Sequence, residues 1–299
     1  MKNLTVSAPL AMALSIGLLT LIPASTRLGS AFAGDQDPPP VPHKAVSPPE
    51  AAGAIAGRLN TSSVAYKDGD EELSGYLAYD PSRQGKRPAV LVLPEWWGLT
   101  DYPKRRARQL AQLGYVAFAA DMYGKGAVAD TAEKAGQLTS RFRSDRDLMR
   151  RRVAAALAVL KADPHVNPNR IAAIGYCFGG TCVLELARSG AELAAVVSFH
   201  GVLDTPHPEA TPKPKAAILV CHGAADPYVS PDVVDAFRRE MNRCDADWQL
   251  NMYGEAVHSF TNPDSGNDPS KGAAYNATAD QRSWADMLRF FDRVLGKAE

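Results

Sequence analysis

Cysteine is scarce in this chain, with four among 299 residues. Four are too few for a disulfide scaffold, and their spacing forms no paired zinc signature. Net charge is also missing, because 33 Lys and Arg offset 33 Asp and Glu. That balance excludes attachment to nucleic acid through bulk positive charge, and equally an acidic, self-repelling disordered chain. There is no internal repeat, and no apolar run reaches the roughly 20 residues a bilayer-spanning helix requires. What is present is a 45% hydrophobic complement, ample for the core of a large α/β domain.

The N-terminus stands apart. Lys2 supplies a positive start, Ala8 to Ile22 is a mostly apolar stretch, and Ala31-Phe32-Ala33 fits the small-x-small pattern before a signal-peptidase cut. Residues 1–33 are expected to be a signal peptide cleaved after Ala33. The mature protein is then periplasmic or secreted, without a stable membrane anchor. The alternative, an uncleaved anchor, suits a longer stretch. Residues 34–59 contain Pro38-Pro39-Pro40, Pro42 and Pro48-Pro49, a density that favours an extended, solvated spacer. Residues 60–299 are expected to form one domain.

Within that domain short apolar runs alternate with longer helical patterns. The expected strands are Val64–Tyr66, Gly75–Tyr79, Ala89–Leu93, Val116–Ala120, Ile171–Ile174, Ala195–Phe199, Ala217–Cys221 and Gln249–Tyr253. The expected helices are Tyr102–Leu113, Arg146–Ala162, Gly180–Arg188, Pro231–Cys244 and Asn276–Leu295, with Ser230 as a cap before Pro231. The first two strands, joined through Asp68-Gly69-Asp70, read as an antiparallel start. The remaining alternation implies right-handed crossovers and a mostly parallel central sheet in a three-layer α/β fold. Sites in such sheets lie at the carboxyl ends of the strands. The residues found there are Glu95, Asp121, Cys177, His200, His222 with Asp226, and His258.

Gly175-Tyr176-Cys177-Phe178-Gly179 joins an apolar strand to a helix and matches the Gly-x-nucleophile-x-Gly elbow with sulfur in place of a hydroxyl. A strained turn lifts the nucleophile above the sheet, and glycines on both sides let backbones approach. The helix N-terminus favours thiolate, and the Phe178 amide points toward a developing oxyanion. Asp226 and then His258 follow Cys177 in the order nucleophile, acid, base. In this scheme His258 moves the protons and Asp226 fixes its tautomer. Asp226 before Pro227 also suits a plain turn cap. His200 and His222 precede the acid in the chain and are expected to pack or to touch substrate. A metal held by His222, Asp226 and His258 has no short ligand spacing behind it, so neither metal nor cofactor is expected. The polar segment Pro263–Pro269 is expected to be a mobile loop that shapes the opening.

On Gly175-Tyr176-Cys177-Phe178-Gly179-Gly180, Asp226 and His258, the chain resembles the dienelactone hydrolase family (carboxymethylenebutenolidases) of the α/β-hydrolase fold. The likeness runs from about Gly75 to Leu295. It includes Leu93-Pro94-Glu95-Trp96-Trp97-Gly98, Asp121-Met122-Tyr123 and Gly254-Glu255-Ala256-Val257-His258-Ser259-Phe260. The resemblance implies that Glu95 pairs with the resting cysteine and takes its proton, and that the Trp96 amide is a second oxyanion donor. Trp97, Tyr123, Lys125 and His200 are then expected to contact a small ester or lactone. Members that act on dienelactone hold its carboxylate with arginines. Here Gly124-Lys125 and Thr261-Asn262 stand at those places, which weakens or moves that recognition. Two rival readings keep the scaffold: a non-catalytic binding or redox-responsive protein, and a hydrolase directed at peptides or polymers. Acylation of Cys177 by an ester probe separates the first from an enzyme, and a wide groove would mark the second.

Overall fold

The computed structural model describes residues 59–298. The expected signal peptide and, apart from Leu59, the Pro-rich spacer lie outside the described residues. The strands are β1 (Asn60–Asp68), β2 (Glu71–Tyr79), β3 (Arg87–Leu93), β4 (Val116–Ala119), β5 (Val166–Tyr176), β6 (Ala195–Phe199), β7 (Ala217–Gly223) and β8 (Trp248–Tyr253). They form an eight-stranded sheet in the order β1-β2-β4-β3-β5-β6-β7-β8. β1 and β2 pair antiparallel, β2 meets β4 antiparallel, and every pairing from β4 through β3 to β8 is parallel. This is the mostly parallel α/β sheet that the alternation of patterns implies.

Six helices among the described residues complete the layers: α1 (Asp101–Gln112), α2 (Ala132–Ser144), α3 (Arg146–Ala162), α4 (Phe178–Arg188), α5 (Pro231–Arg243) and α6 (Ala277–Val294). Central strands are buried on both faces, so apolar residues run without interruption and the period of two appears in which core each side chain joins. Ala89, Leu91 and Leu93 of β3 join a core with α3, α4 and α5, which contribute Met149, Val153, Phe178 and Phe237. Val90 and Val92 point the other way, against Leu110 of α1 and Phe290 and Phe291 of α6. Each large side chain so buried contributes roughly 1.5–3 kcal/mol relative to exposure.

Helix α2 falls where no helix was expected. Only Ala135, Thr139 and Phe142 are buried along it, so its apolar period is too sparse to read. It forms because Thr131 caps it, accepting from the Lys134 N–H at 3.3 Å, and because Phe142 anchors it in the core. Asp145 ends α2 and caps α3, accepting from the Leu148 N–H at 2.8 Å. Ser230 holds the N-cap place of α5 without a side-chain hydrogen bond; Pro231 supplies the start. The Pro263–Pro269 segment lies between β8 and α6. It contains a 3₁₀ turn at Pro263–Ser265 and leads into another at Pro269–Lys271, capped by Asn262 and Asp268. Among the described residues, no helix is long and apolar enough to cross a membrane.

A buried ionic cluster fixes the far end of α4. Arg188 donates to both oxygens of Glu240 at 2.9 and 2.7 Å, to Glu185 at 3.1 Å and to the Leu203 carbonyl at 2.7 Å. Removing the cation would leave the buried Glu240 carboxylate without its cation, while Glu185 keeps Arg150 at 2.8 Å. Arg188→Ala is therefore expected to cost about 3–5 kcal/mol, read by urea unfolding.

Candidate active site

The elbow is a meeting of backbones. β5 ends at Tyr176, α4 begins at Phe178, and Cys177 between them has φ 53 and ψ −115. A Cβ on Gly175 would lie 1.9 Å from the Gly179 carbonyl oxygen, and one on Gly179 would lie 2.4 Å from that of Leu93 at the end of β3. Only glycine allows that approach. The strained peptide is tied at both ends. The Cys177 N–H donates to the Phe199 carbonyl at 3.0 Å and to His200 Nδ1 at 3.1 Å, while its carbonyl accepts from Gly180 at 2.9 Å and Thr181 at 3.3 Å.

Asp226 follows β7, and each carboxylate oxygen has its own task. Oδ1 accepts from the Tyr228 N–H at 2.9 Å and makes the turn; Oδ2 bonds His258 Nδ1 at 2.8 Å. The turn cap and the imidazole holder are thus one residue. Burial opposes charge on His258, yet the neighbouring Cys177 side chain and the Asp226 carboxylate together raise its pKa well above the ordinary histidine range. Asp226 thus holds the His258 ring, and Cys177 and His258 line the same cleft.

Glu95 follows β3 and is buried. Its hydrogen bonds go to Ser259 Oγ at 3.1 Å and Asn262 Nδ2 at 2.7 Å, not to Cys177 as the resemblance implies. Asn262 fills the second carboxylate oxygen with a neutral donor. Burial pushes the Glu95 pKa up, while Asn262 and Ser259 pull it partly back. The Trp96 and Phe178 amides, from the turn after β3 and the first turn of α4, have no acceptor among the described residues.

Three expected substrate contacts are placed elsewhere. Tyr123 is buried behind the two amides, donating to the Trp96 carbonyl at 2.7 Å and stacking on Phe178 at 6.3 Å. Lys125 is exposed on a turn curled over Asp121, whose carboxylate accepts from the amides of Tyr123, Gly124 and Gly126; its own amide bonds the Glu72 carbonyl. His200 is fully buried beneath the elbow. His222 is also buried, with Nδ1 lacking a partner, and burial lowers its pKa. Trp97 does line the cleft, edge-on to Trp96 at 5.0 Å.

That cleft, about 1080 Å³, opens over Cys177 and His258. Two lining residues went unrecognised from sequence, Arg143 at the end of α2 and Arg146 at the start of α3. The run Arg141-Phe142-Arg143-Ser144-Asp145-Arg146 is visible, but nothing in it says that a helix junction turns toward the site. Arg146 is 11% exposed and meets Asp204 at 3.3 Å, with Nε buried and unpartnered. Arg143 has no ion pair or hydrogen bond among the described residues. Asp264 and Ser265 also line the cleft, with Asp264 3.6 Å from Arg105. Among the described residues, no group of three or more His, Cys, Asp or Glu is gathered as for a metal. All four cysteines are free thiols, three of them buried.

A sheet of this order, with an elbow after β5 and an imidazole after β8, defines an α/β-hydrolase. The profile of the dienelactone hydrolase family matches residues 73–295, and the chain belongs to that family. A solved dienelactone hydrolase-like promiscuous phosphotriesterase from metagenomic libraries is 42% identical, covers 80% of this chain and 99% of its own, and superposes with a TM-score of 0.76. A protein named as a carboxymethylenebutenolidase in Aquifex aeolicus is 31% identical over 78% of this chain and 98% of its own length. A Bradyrhizobium protein named as a 2-oxo-3-(5-oxofuran-2-ylidene)propanoate lactonase is 30% identical over 74% of this chain and 89% of its own. The protein is thus a hydrolase of the dienelactone hydrolase type.

The raised His258 pKa makes a pH-dependent contribution to stability. A pKa raised on folding stabilises fully below the unfolded value near 6.5 and loses that effect as pH climbs through the folded value. Asp226→Asn removes one cause of the rise. Its destabilisation in urea unfolding is expected to be largest near pH 6 and to shrink steadily toward pH 9, within roughly the range of histidine titration.

Proposed function

We propose that the protein is an exported cysteine hydrolase that opens a small ester or lactone through an acyl-enzyme on Cys177. The observation that carries this is the sulfur raised on a strained elbow, lining the same cleft as an imidazole that Asp226 holds by a 2.8 Å bond. The Cys177 thiolate adds to the carbonyl carbon, and the C=O electron pair moves to oxygen. The Trp96 and Phe178 amides, without other acceptors, donate to that oxyanion. When the C=O re-forms, the C–O bond to the leaving group breaks, and the departing alkoxide takes the His258 proton. Water then attacks the thioester as His258 accepts its proton, and the acid leaves as thiolate returns. Glu95 serves by holding Ser259 and Asn262, which frame the His258 loop.

The cleft is of a size for small molecules rather than polymers. Arg143 and Arg146 on its wall favour an ester or lactone that carries an acidic group, in keeping with the oxo-acid lactonase name of the Bradyrhizobium relative. Phosphate triesters form a second substrate class, supported by the 42% identical phosphotriesterase. Export is proposed from the N-terminal pattern of Lys2, Ala8–Ile22 and Ala31-Phe32-Ala33.

The decisive experiment is turnover of p-nitrophenyl acetate and simple lactones with intact-mass detection of the acyl adduct. Cys177→Ala is expected to lose both activity and adduct, and unchanged turnover in that variant ends the proposal. Arg146→Met is expected to raise KM for an acid-bearing ester about tenfold, the worth of one charge-assisted hydrogen bond, with the neutral ester unaffected.

A further inference from the structure

His200 does not line the cleft, yet it is bonded to the elbow and packed on the imidazole. Its backbone has φ 41, and its ring is fully buried at the end of β6. Nδ1 faces the Cys177 N–H at 3.1 Å and Nε2 faces Thr261 Oγ1 at 2.7 Å. A backbone N–H can only donate, so Nδ1 must be the bare nitrogen and Nε2 must carry the hydrogen. The far end is a hydroxyl network. Thr261 Oγ1, accepting from Nε2, can pass its own hydrogen to Tyr102 Oη at 2.7 Å. Tyr102 Oη also accepts from Arg106 Nε at 3.3 Å and can donate to the Thr261 carbonyl at 3.2 Å. Arg106, a donor only, bonds the same carbonyl at 2.8 Å and pairs with Asp280 of α6. The Cys177 N–H alone sets the tautomer of the neutral His200 ring, and the Thr261 hydroxyl accepts from its Nε2 whichever way the Thr261–Tyr102 bond runs.

We propose that His200 is the positioning residue of the elbow: a neutral imidazole, set as the Nε2–H tautomer by the Cys177 N–H and supported at Nε2 by Thr261, whose Nδ1 holds the Cys177 peptide in its strained conformation and whose ring backs His258. The role rests on the proposed thiol chemistry at Cys177. The ring lies edge-on to His258 at 5.3 Å and to Phe260 at 5.2 Å, with Tyr176 at 6.1 Å. Among the titratable and charged groups around it, His258, Arg106 and His222 all oppose a second positive charge, and burial opposes it most. A proton in this pair of rings therefore resides on His258, and His200 stays an acceptor throughout the cycle.

The test compares His200→Asn with His200→Leu in the whole protein. Asn offers an oxygen near the place of Nδ1 and tolerates a positive φ; Leu offers no acceptor. Cys177 alkylation by iodoacetamide is followed by mass spectrometry against pH, beside turnover of p-nitrophenyl acetate and thermal melting. His200→Leu is expected to move the alkylation midpoint upward by about half a pH unit or more and to cut kcat about tenfold with KM within about twofold, the scale of one lost hydrogen bond. His200→Asn is expected to keep the midpoint and to stay within about threefold in kcat. A loss of stability alone lowers the melting temperature and leaves the midpoint in place. Thr261→Val, which withdraws the support at Nε2, is expected to shift the midpoint the same way by less, and it decides the matter should the leucine variant not fold. An unmoved midpoint in the leucine variant, or in Thr261→Val where that variant decides, overturns the proposal, as does an asparagine variant as impaired as leucine. If the wild type turns over no ester while the midpoints move as expected, the hydrolase reading falls and the positioning role stands.

Discussion

The cleft is referred to one peptide unit, the backbone of Cys177 at φ 53 and ψ −115. A non-glycine residue held in such a conformation costs on the order of 1–3 kcal/mol and persists only where its surroundings over-determine it. Here they do. The carbonyl of Phe199 and Nδ1 of His200 take the N–H, and the first turn of α4 takes the carbonyl. Gly175 and Gly179 bring β5, α4 and the end of β3 within backbone contact, so the elbow cannot relax without separating two central strands of the sheet. The sulfur's place is therefore a property of the core rather than of a loop.

Electrostatics around that sulfur follow from burial. His200 and His222 are pushed toward the neutral form, chiefly by desolvation, and burial likewise favours the protonated form of Glu95. His258 goes the other way, because Cys177 and Asp226 outweigh the same desolvation. Of these buried groups only His258 is given reason to hold a charge, and it lines the cleft with the thiol. A single charge-bearing base among neutral neighbours avoids the repulsion that several imidazolium rings at 5–6 Å would create.

The sheet was legible in the sequence because β3, β4, β6 and β7 are built on apolar runs and polar residues mark their ends. Cys177, Asp226 and His258 were legible because each stands directly beyond a strand, where the architecture leaves room for chemistry. What sequence pattern alone leaves hidden is where side chains point after a turn. Lys125 follows the same strand as Tyr123, but the turn over Asp121 carries it outward, while Tyr123 goes under the Trp96 loop. His200 ends β6 as His222 ends the core of β7. Its positive φ and the closeness of the elbow bury it. Helix α2 was hidden because its stability comes from a cap and one aromatic anchor rather than from a repeating stripe.

The displaced cations show how a fixed elbow and variable recognition can share one fold. At the places where the resemblance implies arginines, Lys125 and Asn262 present no charge to the cleft: one is turned to solvent and the other is an amide bonded to Glu95. Arg143 and Arg146 supply charge from the opposite side of the chain's path, at the junction of α2 and α3. That junction is pinned by Asp145, which terminates one helix and caps the next, and by Phe142 in the core beneath. Arg146 is nearly buried and directed by Asp204, so in the proposed role it would meet an acid-bearing substrate with little side-chain freedom left to lose. A lysine on an exposed turn would give up that freedom on binding. Moving the cation onto a capped helix junction therefore trades reach for preorganisation, and it leaves the elbow, whose geometry the sheet dictates, untouched.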